Sequence, residues 1–265
     1  MPPTTTLLTT LLGTTLAFVL LWLLSLRLRD VSIVDIYWGL GFAQIAIIAC
    51  ALGGGLPWRR LLVTGLTVAW GVRLAGYLLW RNAGHGEDAR YQAMRRRQGE
   101  RFWLVSLYQV FGLQAALMWI VSLPVQVAQL GSAGDHLTRL DAAGALLWAL
   151  GVTVESAGDL QLARFKADPA NRGKVLDAGL WRYTRHPNYF GDACVWWGLY
   201  LIALATPHGG WTIIGPVLMT VFLVRVSGVA LLERKLTRTR PDYAAYIQRT
   251  SAFVPWFPKR RDRQG

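Results

Sequence analysis

Charged side chains are scarce in this sequence. Asp, Glu, Lys and Arg make up 16% of its 265 residues, whereas soluble domains contain about 25%. Apolar residues reach 53%, and the mean hydropathy is +0.31. Too few charges remain to solvate a water-exposed surface, so the composition argues against an ordinary soluble enzyme and against a disordered chain. We therefore expect a membrane protein that crosses the bilayer several times.

Cysteine and the common cofactor motifs are also nearly absent. Cys50 and Cys194 lie in apolar runs and are too few for a disulfide framework, so we interpret them as small apolar residues. The sequence has no CxxC or HExxH pattern, and we expect no metal site. No GxGxxG follows a strand, which excludes a Rossmann domain, so any nucleotide has to bind within the helices themselves.

Acidic residues are fewer than basic ones, 15 against 28, and the formal net charge is +13. A basic chain can bind nucleic acid, but no zinc-finger, RNA-binding or P-loop spacing is present, and we expect no nucleic-acid partner. Basic loops are instead typical of the cytoplasmic side of membrane proteins. Most of the Lys and Arg residues lie in three segments, at 81–104, 164–188 and 225–265.

Seven apolar runs are long enough to cross a bilayer, which takes about 20 residues. They predict an all-α, polytopic membrane protein of a single domain (1–265), with helices at about 5–26, 33–52, 61–80, 105–130, 140–162, 189–206 and 211–232 and a cytoplasmic tail at 233–265. In this topology the three basic segments share one side. The positive-inside rule makes that side cytoplasmic, which places the N-terminus outside and the C-terminus in the cytoplasm.

Two acidic residues of the fifth predicted helix are candidates for function, since ionisable groups inside a membrane are costly. Glu155 and Asp159 are four residues apart and share one helix face. Two carboxylates in lipid repel each other, so they need a cation or a ligand rich in hydrogen-bond donors. Ion pairing with Arg73 or Arg225 of another helix is one interpretation, and a polar cofactor is the other.

The second and third predicted helices carry further candidates. Asp35 is followed by Tyr37 and Trp38, an arrangement that fits either a belt at the membrane interface or the wall of a pocket. The same alternatives apply to one face of the third helix, which carries Trp70, Arg73 and Tyr77. Asp35 lies deeper than an acid of a loop, which favours a functional role.

The segment from Asp159 to Asp192 combines basic residues with a helix start. Its Lys and Arg side chains can bind lipid headgroups or the phosphates of a cofactor. Pro187 interrupts the helix just before the sixth predicted span and leaves free backbone N–H groups near Asn188. Such groups are suited to bind an anion or a ring amide. Gly191 allows a ligand to approach the backbone.

The run from Gly179 to Asp192 (GLWRYTRHPNYFGD) resembles the steroid 5-alpha-reductase superfamily, whose wider circle includes sterol reductases and isoprenylcysteine methyltransferases. It is most similar to a bacterial branch known only as a domain of unknown function. Three further stretches match that branch: 30–42, 86–91 and 232–256. The resemblance implies a seven-helix bundle, in the bacterial inner membrane, that binds NADPH from the cytoplasm.

By the same resemblance, the cofactor lies among the last three helices and their loops. Asn188 and Asp192 match positions that hold the nicotinamide end, and Arg164 and Arg185 are added for their proximity. The predicted cofactor residues are Glu155, Asp159, Arg164, Lys166, Lys174, Arg185, His186, Asn188, Tyr189, Asp192 and Arg225. The predicted substrate pocket contains Trp38, Trp70 and Arg73. The Gln–Glu pair and the Tyr of the animal steroid enzymes are absent here, so the resemblance does not extend to their steroid substrate.

We therefore expect NADPH-dependent reduction of a carbon–carbon double bond in a steroid-like, isoprenoid or other lipophilic substrate. Asp35, Tyr37 and Tyr77 are the candidate catalytic proton donors, since a Tyr keeps its proton at neutral pH. An S-adenosylmethionine-dependent methyltransferase of the isoprenylcysteine type is the first alternative. A non-catalytic lipid-binding or transport protein is the second. Membrane lipids are the other expected partners.

Overall fold

The computed structural model describes residues 2–131, 134–226 and 229–259. This part of the chain is helical and contains no strand; one isolated β-bridge joins Thr184 and Ser251. The predicted seventh helix (211–232) and the predicted tail (233–265) each run partly outside the described residues, at 227–228 and 260–265. The predicted all-α fold is confirmed.

Five helical stretches among the described residues are long and apolar enough to cross a membrane. They are α1 (Pro3–Leu28), α2 (Ile33–Leu52), α3 (Pro57–Asn82), the continuous stretch Ala89–Val121, and a later helix, Arg139–Ala167. The fourth stretch consists of α4 (Ala89–Gln98), a 3-10 turn, α5 (Phe102–Ser106), π-helical turns (Leu107–Gly112) and α6 (Leu113–Val121). The predicted membrane class is thereby confirmed.

Six α-helices follow the fourth stretch in the described residues. A short helix, α7 (Leu123–Val127), precedes the long helix Arg139–Ala167, which is α8. Then come α9 (Pro187–Leu204), α10 (Ile214–Val221), α11 (Val229–Thr239) and α12 (Tyr243–Arg249). The predicted sixth span corresponds to α9, and the predicted seventh begins with the apolar helical stretch Gly210–Val226. The count of seven spans, their orientation and the single domain stay predictions.

The first helix places polar side chains inside and apolar ones outside. Its buried face carries Thr6, Thr10 and Thr14, whereas most of its exposed large side chains are leucines: Leu8, Leu12, Leu16, Leu20, Leu23, Leu24 and Leu28. An amphipathic helix at the surface of a water-soluble bundle has the reverse arrangement. Lipid is the solvent in which exposed leucines and buried hydroxyls are favourable, so α1 has the surface of a membrane helix.

The contacts within the chain divide it into two compact units. Residues 1–142 with 200–215 form the first, and residues 143–199 with 216–265 form the second. In the first unit α2 and α3 pack closely, because Gly39 and Gly71 lie face to face and a Cβ on either glycine would collide with the carbonyl oxygen of the other. Small residues at such a contact are typical of membrane helices, where backbones approach without a side chain between them.

In the second unit, α8 and α9 pack through glycines in the same way. A Cβ built on Gly151 would lie 2.6 Å from the carbonyl oxygen of Gly191, and one built on Gly198 would lie 2.6 Å from that of Gly144. This close approach brings the first turns of α9 against the middle of α8. The acidic residues of α8 therefore lie beside the start of α9.

Candidate functional site

The centre of the candidate site is the contact between α8 and the start of α9. Glu155 and Asp159 lie on one face of α8 and are nearly buried, with 4% and 6% of their surface exposed. In the first turn of α9, the Asn188 Nδ2 donates a hydrogen bond of 3.1 Å to the Asp159 Oδ1. The structure thus brings together two of the predicted cofactor residues.

The amide of Asn188 is only half used by this contact. A carboxylate accepts hydrogen bonds and cannot donate them, so the NH₂ group of Asn188 has to face Asp159. The Asn188 Oδ1 is then buried and receives no hydrogen bond from the described residues. Buried acceptors are nearly always paired in folded proteins. An N–H group of a bound ligand is a suitable partner for this oxygen.

The other predicted residues near the start of α9 lie close to Asn188 in the chain. Asp192 is half-buried and lies four residues after Asn188, on the same helix face. The Tyr189 ring stacks in parallel on the ring of His186, with 5.4 Å between centroids. Asn188 and Asp192 thus share one face of α9, and Tyr189 pairs with His186.

Arg185 and His186 both contact Glu233 of α11. The Arg185 Nε donates a hydrogen bond of 2.7 Å to the Glu233 Oε1, and the His186 Nε2 lies 3.2 Å from the same oxygen. Arg185 also donates to the carbonyl oxygens of Ile247 and Thr250. Its described hydrogen bonds therefore join the start of α9 to α11 and α12. Sequence reasoning had assigned no role to Glu233, although it lies in the 232–256 stretch of the resemblance.

We expect the Glu233→Gln variant to melt at a lower temperature than the parent at neutral pH. Its melting temperature should also depend less on pH than that of the parent. Burial opposes the charge of Glu233, but hydrogen bonds from His186 and Arg185 outweigh it and hold its pKa below the ordinary value. A lowered folded-state pKa stabilises the fold above the unfolded pKa, and this stabilisation disappears as pH falls through the folded one. We expect the variant to lose about 2 kcal/mol of its free energy of unfolding at neutral pH, the contribution typical of hydrogen bonds to a charged group.

Thermal unfolding in detergent between acidic and neutral pH measures this effect. Asp177→Asn is the matched control, because its ion pair with Arg249 is more exposed and exposed pairs contribute little to stability. If Glu233→Gln melted at the same temperature as Asp177→Asn over the whole pH range, the stabilising role of Glu233 would be refuted.

Four further basic residues predicted for the cofactor have exposed side chains: Arg164, Lys166, Lys174 and Arg225. Arg164 lies on α8, five residues beyond Asp159, which is about 7.5 Å along a helix axis. The side chains of Arg164 and Lys174 make no hydrogen bond or ion pair with the described residues. Arg164 and Lys174 therefore have N–H donors available for a ligand. Arg164 follows the buried Asp159 by about one and a half helical turns.

In the first unit, Asp35 is joined to two residues of α4. The Tyr91 hydroxyl donates a hydrogen bond of 2.8 Å to the Asp35 Oδ1, and the Arg90 Nη2 donates one of 2.7 Å to the Oδ2. Sequence reasoning placed Asp35 with Tyr37 and did not assign Tyr91 or Arg90. The signal for both was present, since they end the 86–91 stretch that carries part of the resemblance.

The loop before α4 fastens this pair in place. The Glu87 Oε1 accepts hydrogen bonds from the Val31 N–H (3.0 Å) and from Arg95 (2.7 Å). The Asp88 N–H donates one of 2.6 Å to the Ser32 Oγ. Burial opposes the charge of Glu87, but the hydrogen bonds from Arg95 and Val31 keep its pKa below the ordinary value. The start of α2 and the start of α4 are therefore held together.

The two other predicted proton donors lie apart from Asp35. The Tyr37 hydroxyl donates to the Gln44 Oε1 of its own helix, and Gln44 in turn donates to the Gly13 carbonyl oxygen at 3.1 Å. The Tyr77 ring lies near the end of α3, with the guanidinium of Arg81 5.8 Å above it. Among the described contacts, Tyr91 is the tyrosine that pairs with Asp35.

The predicted pocket residues of the first unit belong largely to an aromatic cluster. Phe42 contacts Trp38 on its own helix and Trp70 on α3, with ring centroids 5.4 and 5.7 Å apart. Trp70 is fully buried, and Arg73 lies half-buried one turn further along α3. Within the part of the chain that the structure describes, no three His, Cys, Asp or Glu side chains are grouped to hold a metal ion.

Residues 21–250 match the family described as "Protein of unknown function (DUF1295)". The chain belongs to this family. The DUF1295 family is steroid 5-alpha-reductase-like, in agreement with the resemblance of the Gly179–Asp192 run. An uncharacterized protein of fission yeast (Schizosaccharomyces pombe), C594.04c, is 25% identical over 274 residues, which cover 92% of this chain and 78% of the yeast protein. No solved structure matches the chain significantly.

Proposed function

We propose that this DUF1295 protein is an NADPH-dependent membrane reductase that saturates a carbon–carbon double bond of a steroid-like, isoprenoid or other lipophilic substrate. The observation that carries the proposal is the buried Asp159–Asn188 pair, whose acceptor oxygen on Asn188 receives no hydrogen bond from the described residues. The carboxamide of a nicotinamide has an NH₂ group that complements this oxygen.

The charges around the pair support a dinucleotide. Arg164 and Lys174 are exposed cations in the segment that follows Asp159. Phosphate groups attract such side chains, and Arg binds them through two parallel hydrogen bonds. S-adenosylmethionine has no phosphate and carries one carboxylate, so it offers these cations fewer anionic groups than NADPH does. The basic segment therefore favours NADPH over the methyl donor.

The source of the proton is the second part of the proposal. NADPH, when bound, supplies the hydride, and the protein has to orient the substrate and deliver a proton to it. A tyrosine retains its proton at neutral pH and donates a hydrogen bond to a developing negative charge. We propose that the donor is among the predicted residues Asp35, Tyr37 and Tyr77.

The finer topology is part of the same proposal. We infer seven spans with α9 and the stretch beginning at Gly210 as the last two, the N-terminus outside and the C-terminus in the cytoplasm. The basic segments 81–104, 164–188 and 225–265 support this orientation. We further propose that the membrane is the bacterial inner membrane, whose cytoplasmic side has access to NADPH.

A thermal shift experiment on the purified protein tests the cofactor. We expect NADPH to raise the melting temperature, because a ligand at 100 times its dissociation constant stabilises a protein by about 2.7 kcal/mol. S-adenosylmethionine is the comparison ligand and should leave the temperature unchanged. Stabilisation by S-adenosylmethionine alone would replace the reductase with a methyltransferase, and no response to either would favour a lipid-binding or transport protein.

A further inference from the structure

The C-terminal segment, residues 250–259, presents large apolar side chains on its exposed side. Trp256 is 71% exposed and Phe257 78%, and Val254 is exposed as well. The segment is held in place by the second unit, so this exposure belongs to an ordered surface. Exposed aromatic residues next to one another are unusual on a surface in contact with water.

Backbone and ring contacts fix the segment against the turn that precedes α9. The Trp256 N–H donates a hydrogen bond of 2.9 Å to the Tyr183 carbonyl oxygen, and the Thr184 hydroxyl donates one of 2.8 Å to that of Phe253. Phe257 lies edge-on to the ring of Tyr183, with centroids 6.2 Å apart. Trp256 through its backbone and Phe257 through its ring thus both contact Tyr183.

Positive charge surrounds the aromatic pair. Arg182 and Lys259 are exposed and make no ion pair with the described residues. Arg249 is neutralised by Asp177. Beyond Lys259 the sequence continues with Arg260, Arg261, Asp262 and Arg263, which lie outside the described residues. The apolar surface is therefore flanked by unpaired cations.

We propose that this aromatic and basic surface is a docking site for the anionic headgroup region of the bilayer. Trp and Tyr are enriched where headgroups meet hydrocarbon, since their rings are apolar at one end and polar at the other. Basic residues close to an anionic leaflet add electrostatic attraction. The site binds anionic phospholipid, with Trp256 and Phe257 inserted between headgroups and Arg182 and Lys259 on the phosphates. It is independent of the proposed reductase activity.

Spin labelling of the full chain in bilayers tests this site. A label at Phe257→Cys, in a background with Cys50→Ala and Cys194→Ala, reports relative accessibility to oxygen, which concentrates in lipid, and to a water-soluble nickel complex. The matched control is Ala245→Cys, an exposed small residue of α12 in the same unit. We expect the ratio of oxygen to nickel accessibility to be several-fold higher at 257 than at 245.

The charge requirement is tested in bilayers of two compositions. With phosphatidylglycerol added to phosphatidylcholine, we expect the ratio at position 257 to rise, and we expect the double variant Arg182→Gln and Lys259→Gln to abolish this rise. Equal nickel accessibility at 257 and 245 would place the segment in water and overturn the proposal. Protection from both reagents would assign the surface to another protein chain, and an equal ratio in the two bilayers would refute the anionic headgroup.

Discussion

Asp159→Asn and Asn188→Leu are each expected to weaken NADPH binding by about 10- to 100-fold while the helices remain folded. The first change removes the charge that orients the Asn188 amide, and the second removes the acceptor oxygen itself. Leaving a buried donor or acceptor without its partner costs about 1–3 kcal/mol, and each 1.4 kcal/mol is a factor of ten in affinity. Titration of the purified variants with NADPH, followed by fluorescence of the reduced nicotinamide, measures the loss.

The control for these variants lies on the same helix. Thr153 is exposed on α8 and donates a hydrogen bond to the Ala149 carbonyl oxygen of its own helix, so Thr153→Ala should bind NADPH as the parent does. Circular dichroism checks that all three variants retain their helices. Unchanged affinity in folded Asp159→Asn and Asn188→Leu would remove the main support for a cofactor at α8 and α9.

Arg59→Met or Asp141→Asn is expected to destabilise the protein by about 3–5 kcal/mol, the cost of leaving a buried charge without its partner. The Arg59 Nε and Nη2 donate hydrogen bonds of 2.6 and 2.7 Å to the two carboxylate oxygens of Asp141. Both residues are 1% exposed. Thr138 adds two further donors to the same carboxylate. The pair therefore joins the first turn of α3 to that of α8.

A double variant separates the charge from the contact. Arg59→Met combined with Asp141→Leu should recover much of the loss, because an apolar pair in place of a buried ion pair is often neutral or stabilising. Asp135→Asn serves as the exposed control, since its partner His136 is exposed too. Melting temperatures in detergent measure all four proteins. Single variants as stable as Asp135→Asn would show that the pair contributes nothing.

Hydropathy predicted most of the fold because lipid imposes a simple rule on helices. The bounds of α2 agree with the prediction at 33–52, since three glycines follow its apolar run. By contrast, α3 begins at Pro57, four residues before its predicted start. The early turn contains Trp58 and two charged residues, Arg59 and Arg60. Their charges end an apolar run without ending a helix.

The candidate site was predicted less completely. The spacing of Glu155 and Asp159 shows that they share a face, and the structure places that face against α9. For Asp35, however, the partners Arg90 and Tyr91 come from a helix more than fifty positions later. Helical periodicity identifies which residues share a face and gives no information on the neighbour across it.

Arg185 illustrates the same limit of sequence reasoning. Its predicted role near the cofactor rested on its position next to His186, whereas its guanidinium donates hydrogen bonds to Glu233, Ile247 and Thr250. A guanidinium has five donors and binds the nearest acceptors. In this fold those acceptors come from α11 and α12, which the sequence alone does not bring to the start of α9.

The length of α1 sets a condition for any reconstitution. Its 26 residues rise about 39 Å at 1.5 Å each, more than the hydrocarbon core of about 30 Å. Its exposed leucines, however, run from Leu8 to Leu28, a rise of about 30 Å that equals the thickness of the core. In a thinner bilayer this apolar stretch has to tilt or to thicken the lipid around it. Lipids with a hydrocarbon core of about 30 Å therefore match α1 better than short-chain lipids do.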